Sequence, residues 1–192
     1  RGYPSVEGAF GPQVPFGLRT NFKGSLDDPF AGSIPVVYGT RIGYVRPDQL
    51  ERNHAWVGEW KVLLPKAGSG DTPLDDDGSI VDVVTGAPIA LAPGSACTQT
   101  YFVAGLFKSP EETENYANYL ATKFVRFLVL QRKLTQDITP DRFRFVPMMD
   151  MLRRWSDQEL YEHFGLTDEE RQYVEATIKP RSVSLSLDSP IP

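Results

Sequence analysis

The chain has 192 residues, 41% hydrophobic and 23% charged, with a formal net charge of −5. That length suits one domain, or one domain with a small helical appendage, and the composition can bury an ordinary core, which excludes a disordered chain. The apolar runs are too short to span a bilayer as a helix, and a single cysteine, Cys97, excludes an internal disulfide.

Arg1-Gly2-Tyr3 carries neither an initiator Met nor a signal-peptide pattern, a start that suits a piece of a longer protein. Residues 1–33 are rich in Gly and Pro and read as irregular. Val36-Val37-Tyr38 and Ile42-Gly43-Tyr44-Val45 read as two short strands around Gly39-Thr40. Pro47 to Arg52 suits a short helix, with Pro early in its first turn. Trp56 to Leu64 reads as a strand that Pro65 ends. The stretches Gly68 to Asp71 and Asp75 to Gly78 read as a long flexible loop, and Thr98 to Phe107 as a strand rich in β-branched and aromatic residues. Cys97 stands just before it and reads as a small buried residue.

Ser109-Pro110-Glu111-Glu112 starts a helix: Ser caps, Pro follows, and Glu stands three residues on. Tyr116, Tyr119, Leu120, Phe124, Phe127 and Leu128 keep one face at three-and-four spacing, which predicts a helix to about Lys133. A second basic, aromatic strand is expected at Phe143 to Pro147. Ser156-Asp157-Gln158-Glu159 repeats the cap before a short helix that Gly165 ends. Thr167-Asp168-Glu169-Glu170 opens a last helix stopped by Pro180. The reading is α+β: a mixed or antiparallel short-stranded sheet in the first half and helices in the second. Residues 15–150 form the α+β core, 151–180 the helical C-terminal part, and 181–192 a tail or linker.

Charge is unevenly spread. From Lys123 to Arg154 there are eight Lys or Arg against three acids, a local +5, while residues 1–122 and 155–192 each carry −5. A basic block between acidic flanks reads as one electropositive face for a polyanion, with double-stranded DNA the first candidate. Lys123, Arg126, Lys133 and Arg142 are the candidate phosphate contacts. Thr135 and Gln136, bracketed by Lys133 and Arg142, could read base edges; equally, they could satisfy the orphan carbonyls of a helix end. Arg19, Asn21 and Lys23 make a second polar-basic set, and Lys66 a third contact point. Phe124, Phe127, Phe143 and Phe145 read as core from their helical or alternate spacing.

Lys123-Phe124-Val125-Arg126-Phe127-Leu128, Lys133-Leu134-Thr135-Gln136-Asp137, Phe145-Val146-Pro147, Trp155 to Tyr161 and Phe164 to Glu170 follow in one order. Pro15 to Gly24, Trp60 to Lys66 and Cys97 to Tyr101 precede them. This ordered series resembles the C-terminal target-recognition region of bacterial type II restriction–modification proteins that methylate adenine in DNA. The resemblance spans about residues 15 to 180. It implies a DNA target-recognition domain over 1–180, a cytoplasmic location, and an N-terminal catalytic domain of the same parent chain as partner. That domain would bind S-adenosylmethionine, and the parent could also carry an endonuclease.

The family's catalytic marks, a Gly-rich cofactor turn and an Asn/Asp-Pro-Pro-Tyr/Phe motif, do not occur in these residues. No catalytic residue, cofactor or metal is therefore expected in the chain itself. Its two histidines, His54 and His163, and one cysteine make no recognisable zinc pattern. Asp75-Asp76-Asp77-Gly78 lacks the ligand spacing of a calcium loop. Acids such as Glu111, Glu112, Asp168 and Glu169 stand where a helix dipole favours them. The alternatives are a stand-alone nuclease or a protein-interaction module of a restriction system.

Overall fold

The computed structural model describes residues 2–22, 28–39, 41–66, 84–132 and 138–183. The chain is α+β, with two three-stranded sheets largely in the first half and helices in the second. In the first sheet, β1 (Ile34–Tyr38) pairs antiparallel with β2 (Arg41–Val45). On its other side it pairs parallel with a two-residue strand, which becomes β5 (Ala96–Cys97). In the second sheet, β3 (Trp60–Pro65) lies between β4 (Ile89–Leu91) and β6 (Tyr101–Phe107), antiparallel to both.

The second sheet is covered on both faces, and side-chain alternation along its strands decides which residue goes where. Leu63, Leu91, Tyr101 and Val103 pack toward the first sheet with Val36, Val37, Ala96 and Cys97. Val62, Leu64, Ala90 and Ala104 pack toward the helices. Cys97 is fully buried in the inter-sheet layer, as its sequence context predicts. Lys61 shares that layer, with its Nζ 3.4 Å from Ser95 Oγ and 3.5 Å from the Ala92 carbonyl.

Helix α1 (Pro110–Ala121) lies across β3, β4 and β6. Its fully buried Tyr116 donates to the Ala104 carbonyl at 3.1 Å and sets its ring 5.0 Å from that of Phe107. Burying a ring of this kind stabilises by roughly 1.5–3 kcal/mol. Ser109 caps the helix, accepting from Glu112 N, as the sequence predicts.

The long helix expected to run to Lys133 is two. Thr122 takes an extended ψ of 151°, and α2 (Lys123–Leu130) starts afresh behind it. Thr122 holds both ends: its hydroxyl donates to the Tyr119 carbonyl and accepts from Val125 N. The Asp157 carboxylate then takes Phe124 N at 2.8 Å.

Three other expectations change. The strand expected from Trp56 begins at Trp60, because His54–Gly58 forms a 3₁₀ turn after Asn53 enters the left-handed region at φ 54°. The helix expected at Pro47 to Arg52 is a 3₁₀ turn over Pro47–Gln49. Phe143 to Pro147 is no strand: Pro140–Phe143 is a 3₁₀ turn, and only Pro147 bridges, to Ser5. Gly68 to Asp71, Asp75 to Gly78 and residues 184–192 lie outside the described residues.

The last two helices, α3 (Asp157–His163) and α4 (Asp168–Thr177), begin in capping boxes on Ser156 and Thr167. Gly165, at φ 67°, closes α3 where a side chain would be strained. Both helices pack on α2. Phe164 lies parallel to Phe124 with centroids 5.0 Å apart.

The N-terminal segment is a strap between halves. Val6 N donates to the Val146 carbonyl at 3.0 Å, Met148 N to that of Pro4 at 2.7 Å, and Gly11 N to that of Val103 at 2.8 Å. Among the described residues, no helix is long and apolar enough to cross a membrane.

Candidate nucleic-acid interface

Several segments that bear basic residues singled out in the sequence are linked by a relay of backbone bonds. The relay starts at the turn bearing Arg19 and Asn21, both exposed. Phe16 and Leu18 are buried and anchor this turn, and Phe22 N closes it on the Arg19 carbonyl at 2.9 Å. Gly17 is needed beside it: φ is 83°, and an added Cβ would lie 2.4 Å from Glu51 Cβ.

Gln99 N donates to the Leu18 carbonyl at 2.8 Å, and Gln99 Nε2 to Thr20 Oγ1 at 2.6 Å. One residue on, the Thr100 carbonyl accepts from Lys66 N at 3.0 Å. The Lys66 carbonyl in turn accepts from Ile138 N at 3.0 Å. Ile138 leads into the 3₁₀ turn carrying Asp141 and Arg142. The Arg142 guanidinium donates to the Arg132 carbonyl, and the Arg132 guanidinium lies over the Phe145 ring at 4.9 Å. Four separated stretches of chain are thereby joined.

The charges in this relay are almost all positive. Lys66 sets its ammonium 4.4 Å over the Phe102 ring and donates to the Gln13 carbonyl; partial burial lowers its pKa. Nε of both Arg132 and Arg142 is buried and has no hydrogen-bond partner among the described residues. Arg144 is exposed. The Asp141 carboxylate stands near Arg142 and Arg132. A hydrogen bond from Thr139, then the charges of Arg142 and Arg132, hold it below the usual carboxylate range.

Lys123 and Arg126 do not join this relay. The Lys123 ammonium is paired with Glu175 and largely covered. Arg126 is 3% exposed, and its Nη1 donates to the Lys179 carbonyl at 2.5 Å. Burial first, and then the neighbouring Arg181 charge, push its pKa down to about 10, while Asp157 opposes this. The expectation of Arg126 as a phosphate contact is corrected on that ground: the guanidinium ties down the segment after α4 and offers no surface charge in this arrangement. Lys23, Lys133, Thr135 and Gln136 lie outside the described residues.

Phe145 is a further correction. Phe143 is fully buried as predicted, but Phe145 is 54% exposed. Their alternate spacing would put both on one face of a strand, whereas this stretch leaves a 3₁₀ turn and the two part company. The exposed ring, with Arg132 over it and Arg144 before it, is a feature that periodicity alone does not single out. The local excess of Arg was the available signal. Among the described residues, no three His, Cys, Asp or Glu side chains gather in a way that could hold a metal ion. No protein-family model, curated protein or solved structure matches the chain.

Proposed function

We propose that this chain is a double-stranded DNA recognition domain, the target-recognition region of an adenine-specific restriction–modification methyltransferase. Methyl transfer from S-adenosylmethionine would belong to the catalytic domain of the parent chain, which sets its location in the cytoplasm. The observation that carries the DNA reading is the relay from Arg19 through Lys66 to Arg142 and Arg132. Backbone bonds link the distant stretches that carry these cations, and Arg142 and Arg132 flank one carboxylate, Asp141. Fixed guanidinium and ammonium groups of this kind neutralise phosphates and set the register of a duplex. The exposed Phe145 and Asn21 beside them offer stacking and hydrogen-bonding groups. The ordered motif series resembling such regions supplies the assignment to adenine methylation.

Fluorescence anisotropy of a labelled duplex, titrated between about 50 and 200 mM salt, tests the reading. Affinity should fall steeply across that range. Arg19→Ala and Arg144→Ala, both at exposed positions, should each reduce the salt slope by about one unit. Absence of duplex binding at the low-salt end would reject the proposal.

A further inference from the structure

A second cationic site lies away from the relay, in a recess of about 480 Å³ at the junction of α1 and α2. Its walls come from the start of α2, the stretch leading into α3, and the segment after α4. Lys123, Arg154 and Arg181 supply three cations, Ser156 and Ser182 two hydroxyls, and Asp157 the one carboxylate. Asp157 is occupied: its Oδ1 takes Phe124 N at 2.8 Å and so caps α2 from within. The three cations are not equally engaged. Lys123 is neutralised by Glu175. Arg154 is exposed and gives one Nη2 bond to Asn118 Oδ1 at 3.0 Å, leaving most of its five donors for another acceptor. Arg181 is half-buried, and its Nε has no hydrogen-bond partner among the described residues. It also stands close enough to buried Arg126 for the two charges to oppose each other. A recess that gathers like charges and leaves a buried N–H unsatisfied is built for an anion rich in acceptor oxygens.

We propose that this recess seats a phosphate group, held by Arg154 and Arg181 and, within the DNA-recognition reading on which this rests, a backbone phosphodiester of the bound duplex. Lys123 begins α2 and Arg132 lies just beyond its end. Nine residues at 1.5 Å rise set the two about 13 Å apart along the axis. That span fits phosphates on either side of one B-form groove, about 12 Å across for the major groove. The relay would then hold one phosphate row and the recess the other.

The experiment compares the chain with Arg154→Ala/Arg181→Ala and with a control, Arg46→Ala, whose side chain pairs with Asp48 on an exposed turn. Duplex affinity is read by anisotropy, and the Arg Nε–H resonances by NMR during titration with inorganic phosphate. The expected result is a loss of roughly tenfold or more in duplex affinity for the double variant, a salt slope smaller by about two units, and a phosphate-dependent shift of the Arg181 Nε–H signal. Duplex binding by the double variant equal to that of the control overturns the recess and leaves the DNA reading standing. If the unmodified chain binds no duplex yet inorganic phosphate still moves the Arg181 signal, the DNA reading fails and the recess serves a free phosphate compound. If neither occurs, both fail. Arg154→Lys/Arg181→Lys keeps the charges should the alanine pair unfold. It should retain the salt slope, and losing the slope there as well would overturn the electrostatic basis of the site.

Discussion

Arg126 shows how one side chain can look like a surface contact and act as a tie. Its neighbours in sequence are basic and aromatic, yet it is 3% exposed and its guanidinium donates to the Lys179 carbonyl, 53 residues on. Removing a charge-assisted bond of this kind costs about 1.5–3 kcal/mol. Arg126→Ala should therefore lower unfolding free energy by about 2–3 kcal/mol, with lost packing added to the lost bond. Arg126→Met should lose less, roughly 1 kcal/mol, because a chain of similar length refills the space and removes a buried cation that repels Arg181. Urea unfolding measures both. Because Arg126 ties down the segment that carries Arg181, its own part in duplex binding is read in an Arg181→Ala background, where neither change should alter the salt slope further; a slope smaller by another full unit would make Arg126 itself a phosphate contact. Gly17 works in the opposite way. It touches no ligand in this scheme, but only a residue without Cβ fits against Glu51, two residues before Arg19.

Among the elements, the break at Thr122 decides where α2 points and hence where both proposed sites lie. Thr122→Ala removes the cap on Val125 N and should destabilise by about 1 kcal/mol. Asp157→Ala should lose a similar amount, since it frees Phe124 N and unhooks α3 from α2. Chemical denaturation checks the pair. An unchanged Thr122→Ala variant would show that packing alone sets the break. This element also marks the limit of reading the sequence. Ser109, Ser156 and Thr167 each stand three residues before a Glu, and all three helix starts were legible. Thr122 stands three before Val125, with no Pro or Gly nearby, and the apolar spacing runs unbroken from Tyr119 to Phe127, so one helix was the natural expectation. The strand cores at Val36, Ile42, Val62 and Val103 were legible from β-branched content. The 3₁₀ turns at His54 and Pro140 were not, since aromatic residues there mimic strands. For the site, the excess of cations was legible in composition. Which cations stay free was not, because that depends on bonds such as Arg126 to Lys179 and Arg142 to Arg132, which only the packed chain makes.

At the scale of the whole molecule, the layer between the sheets sets how stability follows pH. Burial pushes Lys61 down to about 8 from 10.5, against opposing pulls from Cys97 and Glu59. At neutral pH the folded chain therefore carries a cation it disfavours, at about 1.4 kcal/mol per unit or roughly 3 kcal/mol in all. Between pH 8 and 10.5 the unfolded chain binds the extra proton, so stability rises with pH. Burial also pushes Cys97 up to about 12 from 9.0, and raises Tyr101, Tyr116, Tyr119 and Tyr161 above their usual value. For these groups the unfolded chain loses protons first, so stability falls from about pH 9 upward. The two trends should place the maximum near pH 9. Lys61→Met should be more stable than the parent at pH 7, with the difference shrinking as pH passes 8 and vanishing above 10.5. Ser95 Oγ and the Ala92 carbonyl remain bonded to each other in that variant. Urea unfolding from pH 7 to 10 reads the difference directly, and a variant weaker than the parent at pH 7 would contradict it. The N-terminal strap acts on a different axis, that of time. Val6 must find Val146, and Pro4 must find Met148, across about three quarters of the chain. Contacts of such separation slow the search for the native state. During synthesis at roughly 5–20 residues per second, a nascent chain therefore holds the start of its strap unmatched for many seconds before residue 148 leaves the ribosome, the interval in which a chaperone would find most to bind.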